Sequence, residues 1–195
     1  MSGTRPFSVC VYCGSRHGTL ASYAASARAM GRAIGLRGWR LVYGGGNVGL
    51  MGEVADATLD AGGTVLGVIP ERLLEREVGH RGLTELVVVQ NMHQRKMRMA
   101  EEADAFVALP GGIGTFEELF EMWSWRHLAY HDKPLGLLEV DGFWAPLQEF
   151  LQRTVAAGFM DGSQMAMLQS HADPTLLLDA LSAAQSRLPA DYRRT

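Results

Sequence analysis

The chain is poor in the features that announce chemistry most loudly. It has only two cysteines among 195 residues, too few for a disulfide framework. These two, Cys10 and Cys13, form a C-x-x-C, but a redox pair needs a helix N-terminus to lower a thiol pKa. Cys10 lies inside the strand-like run Phe7 to Tyr12 and Cys13 just past it, so a buried core thiol and a small loop residue are expected instead. The six histidines include an i, i+4 pair, His127 and His131, yet no Glu follows the first one as metalloprotease chemistry requires. No metal site is expected. No run approaches the roughly 20 apolar residues that cross a bilayer, and Met1 to Pro6 carries no signal-peptide hydrophobic run. The expected setting is cytoplasmic, away from membranes. The net charge of -3 gives no broad basic field, which argues against nucleic acid as the partner and in favour of a small ligand.

What is present suits one globular domain: 47% hydrophobic and 20% charged residues, with neither internal repeat nor low-complexity linker. Short apolar runs read as strands at Phe7 to Tyr12, Arg40 to Tyr43, Thr64 to Ile69, Glu85 to Val89, Ala105 to Leu109 and Pro134 to Val140. Helical patterns lie between and after them, near 20–37, 48–61, 92–103, 114–128, 143–157 and 174–187. This alternation predicts an α/β fold, a Rossmann-like doubly wound parallel sheet in three α/β/α layers. Residues 1–6 and 188–195 are expected to fray.

Ligands of such sheets collect at the carboxyl ends of the strands. Three small-residue turns fall there: Cys13-Gly14-Ser15-Arg16, Gly44-Gly45-Gly46-Asn47, and Pro110-Gly111-Gly112-Ile113-Gly114-Thr115. The last one follows an apolar run and opens a helix, the setting in which backbone amides hold phosphate, with the Thr115 hydroxyl as a further donor. Glu118 follows about one turn into that helix. Gly44-x-Gly46-x-x-Gly49 also matches a dinucleotide fingerprint, with Glu71 about 20 residues on, but it sits in the second βα unit instead of the first and reads as a decoy. Arg95 and Lys96 fall in the first turns of a helix, where the macrodipole disfavours cations unless an anion compensates. A phosphate or the Glu118 carboxylate would supply it. Arg98, Glu121 and Glu117 also have a plain reading as solvated helix faces.

The Met92 to Lys96 segment and the Pro-Gly-Gly-x-Gly-Thr-x-x-Glu segment together resemble the Lonely Guy (LOG) family of cytokinin riboside 5'-monophosphate phosphoribohydrolases, often labelled possible lysine decarboxylases. The resemblance runs from Val11-Tyr12-Cys13-Gly14-Ser15 through Val42-Tyr43-Gly44-Gly45-Gly46 and Gly49-Leu50-Met51-Gly52 to His131-Asp132-Lys133-Pro134 and Val140-Asp141-Gly142-Phe143. It implies hydrolysis of the N-glycosidic bond of a purine nucleoside 5'-monophosphate, either AMP or an N6-modified relative, with no cofactor. No lysine sits in a recognisable pyridoxal phosphate context, so decarboxylation has no chemical support.

Carried over by motif, Arg95 and Glu118 are the catalytic pair, and Lys96, Gly112, Ile113, Gly114, Thr115, Phe116, Glu117 and Glu77 are nucleotide-binding positions. Ser15, Gly45, Gly46 and Met92 complete the candidate set, Met92 standing where an adenine would rest. Ser124 replaces the family's usual Thr, which keeps a hydroxyl and loses a methyl. The family also implies a homodimer, and the aromatic helix from Phe116 to Trp125 suggests the surface. Glu118 suits stabilisation of the cationic ribose and activation of water, while the high pKa of Arg95 favours positioning and electrostatics over proton donation. Two competitors remain: a non-catalytic nucleotide or cofactor carrier of the same architecture, and an NAD-dependent oxidoreductase that would use Gly44 to Gly49.

Overall fold

In a computed structural model describing residues 5–74 and 79–186, seven strands form one sheet, all paired in parallel, in the order β4-β3-β2-β1-β5-β6-β7. The strands are β1 (Ser8–Tyr12), β2 (Arg40–Tyr43), β3 (Thr64–Pro70), β4 (Glu85–Val89), β5 (Ala105–Ala108), β6 (Leu135–Leu138) and β7 (Leu168–His171). Between and after them run α1 (Ala21–Gly35), α2 (Gly49–Asp60), α3 (Glu71–Leu74), α4 (Met92–Glu102), α5 (Ile113–His127), α6 (Ala145–Ala156), α7 (Gly162–Ala166) and α8 (Pro174–Ser186).

Alternation along each central strand sends its side chains to two separate cores. Val9 and Val11, Leu41 and Tyr43, and Ala105 and Val107 meet Met30 and Ile34 of α1, Leu50 and Val54 of α2, and Leu178 and Leu181 of α8. Cys10 and Tyr12, Val42, and Phe106 and Ala108 meet Met99 of α4, Leu119 and Met122 of α5, and Leu151 of α6. Because both faces are covered, β1, β5 and β6 are buried throughout, which is why they read as unbroken apolar runs. The three-layer, doubly wound expectation holds.

The α1–α2 layer depends on two residues without side chains. A Cβ on Gly31 would lie 2.4 Å from the Val54 carbonyl oxygen, and one on Gly35 would lie 2.5 Å from that of Thr58. The helices therefore touch backbone to backbone.

The structure adds three elements to those read from sequence: α3, α7 and β7. The edge strand β7 has the sequence Leu-Gln-Ser-His and is at most half buried, so it lacks the apolar pattern by which a central strand is recognised. It is held by backbone pairing to β6, from Leu135↔Leu168 to Leu138↔His171. The expected strand 134–140 shortens to Leu135–Leu138, and the helix expected from 143 begins at Ala145. Of the termini expected to fray, Arg5 hydrogen-bonds Asp104 at 2.8 Å, and residues 1–4 and 188–195 lie outside the described residues. No described helix is long and apolar enough to cross a membrane.

Chain order reverses at β1: successive strands run outward to β4, then α4 returns the chain to place β5 on β1's other side. The crevice at the carboxyl ends of β1 and β5 is thus the topological switch point, the usual ligand position in open α/β sheets. Substituting Gly31 with Val should force α1 and α2 apart and cost about 1–3 kcal/mol, read as a lower urea midpoint at unchanged slope.

Candidate active site

The two loops at the switch point are joined through their backbones. Gly14 N–H donates to the Pro110 carbonyl at 3.1 Å, and Leu50 N–H donates to the Gly14 carbonyl at 3.0 Å. A Cβ on Gly111 would come within 3.0 Å of the Gly14 amide nitrogen and 2.1 Å of the Thr115 Oγ1, so the Pro-Gly-Gly turn is closed by sterics. Thr115 itself is buried, its hydroxyl turned back against Gly111. Gly112 and Gly114 differ: an added Cβ at either meets nothing within 4 Å, so no neighbouring protein atom demands glycine there.

Above these loops lies a cavity of about 570 Å³. Its floor is the β1–α1 turn from Cys13 to Gly18 together with Pro110 to Thr115, and Leu50 and Met51 of α2 also reach it. Met92 and Arg95 enter from α4, Glu117 and Glu118 from α5, and Tyr23, Leu73 and Phe143 complete the wall. Gly112 caps α5 with no side-chain hydrogen bond, so the helix presents its first amides to the cavity, with partial positive charge.

Asn91 starts α4 by accepting a hydrogen bond from Gln94 N–H at 3.0 Å, which places Arg95 one turn in. Arg95 is 6% exposed; its Nη2 donates to the Gly44 carbonyl at 3.0 Å, and its Nη1 lies 3.8 Å from the Met92 Sδ. Glu118, partly buried on α5, shares the cavity wall with it. The neighbouring cation turns elsewhere. Lys96 Nζ donates to Glu117 at 2.5 Å and to Glu121 at 2.9 Å. Burial pulls the Lys96 pKa down, but its hydrogen bonds to those two carboxylates and their negative charges outweigh it and raise the value above that of an ordinary lysine. The compensating anions that Lys96 requires at this helix start are therefore Glu117 and Glu121. Arg98 pairs with Glu102 at 2.8 Å along the outer face of α4.

Of the residues singled out from sequence, Ser15, Met92, Arg95, Gly112, Ile113, Gly114, Thr115, Glu117 and Glu118 converge on this cavity. Others stand apart from its lining. Lys96 reaches it only through Glu117. The Phe116 ring packs edge-on against Trp144 at 6.0 Å and lines a separate apolar recess with Phe120, Phe143 and Leu147. Ser124 is exposed nearly two turns beyond Glu118. Gly45, with a φ of +78°, and Gly46 serve the backbone: the Gly45 carbonyl accepts from His80 N–H at 3.0 Å and Gly46 bridges to Gly79. Glu77 lies outside the described residues.

Sequence reasoning placed Arg16 in a ligand turn but overlooked His17, Tyr23, Leu73 and Phe143 as lining residues. Gly18, just before the helix, has a φ of +76°, and its missing Cβ would sit 2.6 Å from the Tyr23 ring, a close approach that only the structure shows. Tyr23 meets Phe143 edge-on at 5.9 Å, a contact across some 120 positions that no local pattern encodes. A second cavity of about 390 Å³, sharing no lining residue with the first, is bounded by Met97, Trp125, Tyr130, His131 and Lys133. Burial and the Lys133 charge pull the His131 pKa down to about 4.

Comparison with known proteins shows the family and the fold. Residues 51–181 match the family described as possible lysine decarboxylase. A cytokinin riboside 5'-monophosphate phosphoribohydrolase of Rhodococcoides fascians is 52% identical over 156 residues, covering 80% of this chain and 79% of that protein. The chain belongs to the LOG family. A second relative, the cytokinin riboside 5'-monophosphate phosphoribohydrolase LOG of Oryza sativa subsp. japonica, is 51% identical to this LOG-family chain over 152 residues, 78% of this chain and 63% of that one. Among solved structures, the molybdenum cofactor carrier protein of Chlamydomonas reinhardtii superposes with a TM-score of 0.72 over 94% of this chain and 100% of its own, at 21% identity. At that identity the likeness concerns the fold alone.

Among the described residues no group of three or more His, Cys, Asp or Glu is placed to hold a metal ion. Both cysteines are free, and burial, followed for Cys13 by the negative charge of Glu118, pushes their pKa values far above those of ordinary thiols. Neither thiol should react with Ellman's reagent at pH 8 in the native protein, and both should react after unfolding; a fast-reacting native thiol would contradict the burial described for Cys10 and Cys13.

Proposed function

We propose that this LOG-family chain hydrolyses the N-glycosidic bond of a purine nucleoside 5'-monophosphate, AMP or its N6-modified cytokinin form, to free base and ribose 5-phosphate. The observation that carries the reading is the meeting of Arg95, Glu118 and the uncapped N-terminus of α5 in one cavity at the switch point. The names of the similar proteins from Rhodococcoides fascians and rice point the same way.

In this reading the 5'-phosphate sits on the first amides of α5, where Gly112 and Gly114 let it approach the backbone and the helix dipole favours its charge. Ser15 and Ile113 border that end, Thr115 supports the turn, and Met92 lies under the purine. Breaking the bond develops positive charge on the ribose. Glu118 stabilises that charge and orients the attacking water. Arg95 positions the nucleotide and the carboxylate through its planar guanidinium. Lys96 holds Glu117 at the rim, and binding energy from the phosphate, remote from the reacting bond, orients the sugar. No cofactor enters this chemistry. For Gly45, Gly46, Phe116 and Ser124 we infer supporting roles outside direct ligand contact, because none of them lines the cavity.

Free base measured chromatographically after incubation with AMP, isopentenyladenosine monophosphate and adenosine tests the proposal. Release is expected from a monophosphate and to be far slower from adenosine, and Glu118→Gln should lower it by about 10²–10⁴-fold while nucleotide binding persists. A folded wild-type protein that binds AMP without releasing base would be a carrier.

A homodimer is the companion reading, with the cytoplasm as its setting, where free Cys10 and Cys13 would stay reduced. It is supported by the exposed apolar side chains Met97, Phe120, Leu128 and Tyr130 on and just beyond α4 and α5. Sedimentation at micromolar concentration should give twice the mass of 21.3 kDa, and a monomer would overturn it.

A further inference from the structure

We propose that Gly44 is a positioning residue for Arg95: the missing side chain leaves the volume that the guanidinium occupies, and the carbonyl of the same residue holds it there. This rests on the reading of Arg95 as part of the hydrolytic site.

Gly44 directly follows β2, and Arg95 reaches it from α4 across the end of the sheet. A Cβ built on Gly44 would lie 1.9 Å from the Arg95 Nη2 and 3.0 Å from its Cζ, so an alanine and the observed guanidinium cannot coexist. The Gly44 carbonyl accepts from that same Nη2 at 3.0 Å. One residue thus supplies both the room and the acceptor for a cation buried to 6% exposure, where an unplaced charge would be costly.

The neighbouring glycines have different reasons to be glycine. Gly45 and Gly49 have positive φ values of +78° and +61°, and a Cβ on Gly49 would press to 2.3 Å on the Arg16 amide nitrogen. Substituting either strains the fold. Gly44 has no positive φ, and the three atoms nearest to an added Cβ belong to the ends of two flexible side chains, Arg95 and Met51, with the Met51 Sδ at 3.4 Å. Its backbone accepts alanine, and what has to move is the guanidinium. The hydrogen-bond acceptor itself survives the substitution. Gly44→Ala therefore changes the space around Arg95 and leaves the backbone chemistry alone.

The test is a double-mutant cycle on base release, using wild type, Gly44→Ala, Arg95→Ala and the double variant, with thermal unfolding and a crystal structure of Gly44→Ala. Moving a guanidinium by about 1 Å is expected to lower kcat/KM on the order of 10²-fold. Tm should stay within about 3 °C of wild type. In the Arg95→Ala background the same glycine substitution should change kcat/KM by less than about twofold, since its effect runs through the arginine. A merely structural glycine would instead lower Tm and cost activity equally in both backgrounds, which would overturn the proposal, as would full activity of Gly44→Ala. Inactive wild type would count against the hydrolase reading only. The crystal structure then decides: a guanidinium displaced by about 1 Å or more upholds the positioning role, and one left in place on Gly44 overturns it.

Discussion

The hydrogen bond from Gly14 to Pro110 joins the ends of two strands that are neighbours in the sheet but nearly a hundred residues apart in the chain. The site depends on that closure. It sets the Pro-Gly-Gly turn against the β1–α1 turn, and the turn in turn aims the N-terminus of α5 into the crevice. A side chain at Gly111 would collide with the Gly14 amide and the Thr115 hydroxyl, so the closure requires glycine on mechanical grounds. Gly112 and Gly114 carry no such burden from the protein, since an added Cβ at either meets nothing within 4 Å.

Charge placement follows from the same frame. Two adjacent cations at the start of α4 are driven to separate solutions by where the helix points them. Arg95 turns inward to a backbone carbonyl at the end of β2, whereas Lys96 turns along the helix to two carboxylates on α5. The inward cation shares a cavity with Glu118, and the outward one ties α4 to α5. Burial of Arg95 strengthens the first interaction, while the second is partly open to solvent at Glu117.

Much of the fold was legible because the central strands are covered on both faces and so appear as continuous apolar runs broken by glycine turns. The edge strand β7 was not legible: solvent reaches it, so Gln169, Ser170 and His171 satisfy it as well as apolar residues would. At the site, the glycine turn, Arg95 and Glu118 could be named from local motif and spacing. The walls contributed by Tyr23, Leu73 and Phe143 could not, because they converge from separate segments. Gly45 and Gly46 looked like ligand turns in sequence, yet they answer to backbone pairing with His80 and Gly79. A glycine needed for a turn and a glycine needed for a ligand are written with the same letter.

By itself the sequence determined the layer architecture, the parallel sheet, the family and the chemical types available at the carboxyl edge, since periodicity and short motifs are local properties of a chain. Only the tertiary structure decided which of those residues share one cavity. It separated Arg95 from Lys96, removed Phe116 and Ser124 from the wall, and revealed Gly44 as the space an arginine fills. Those outcomes depend on distances between elements far apart in sequence, and such distances are set by packing rather than by spacing along the chain.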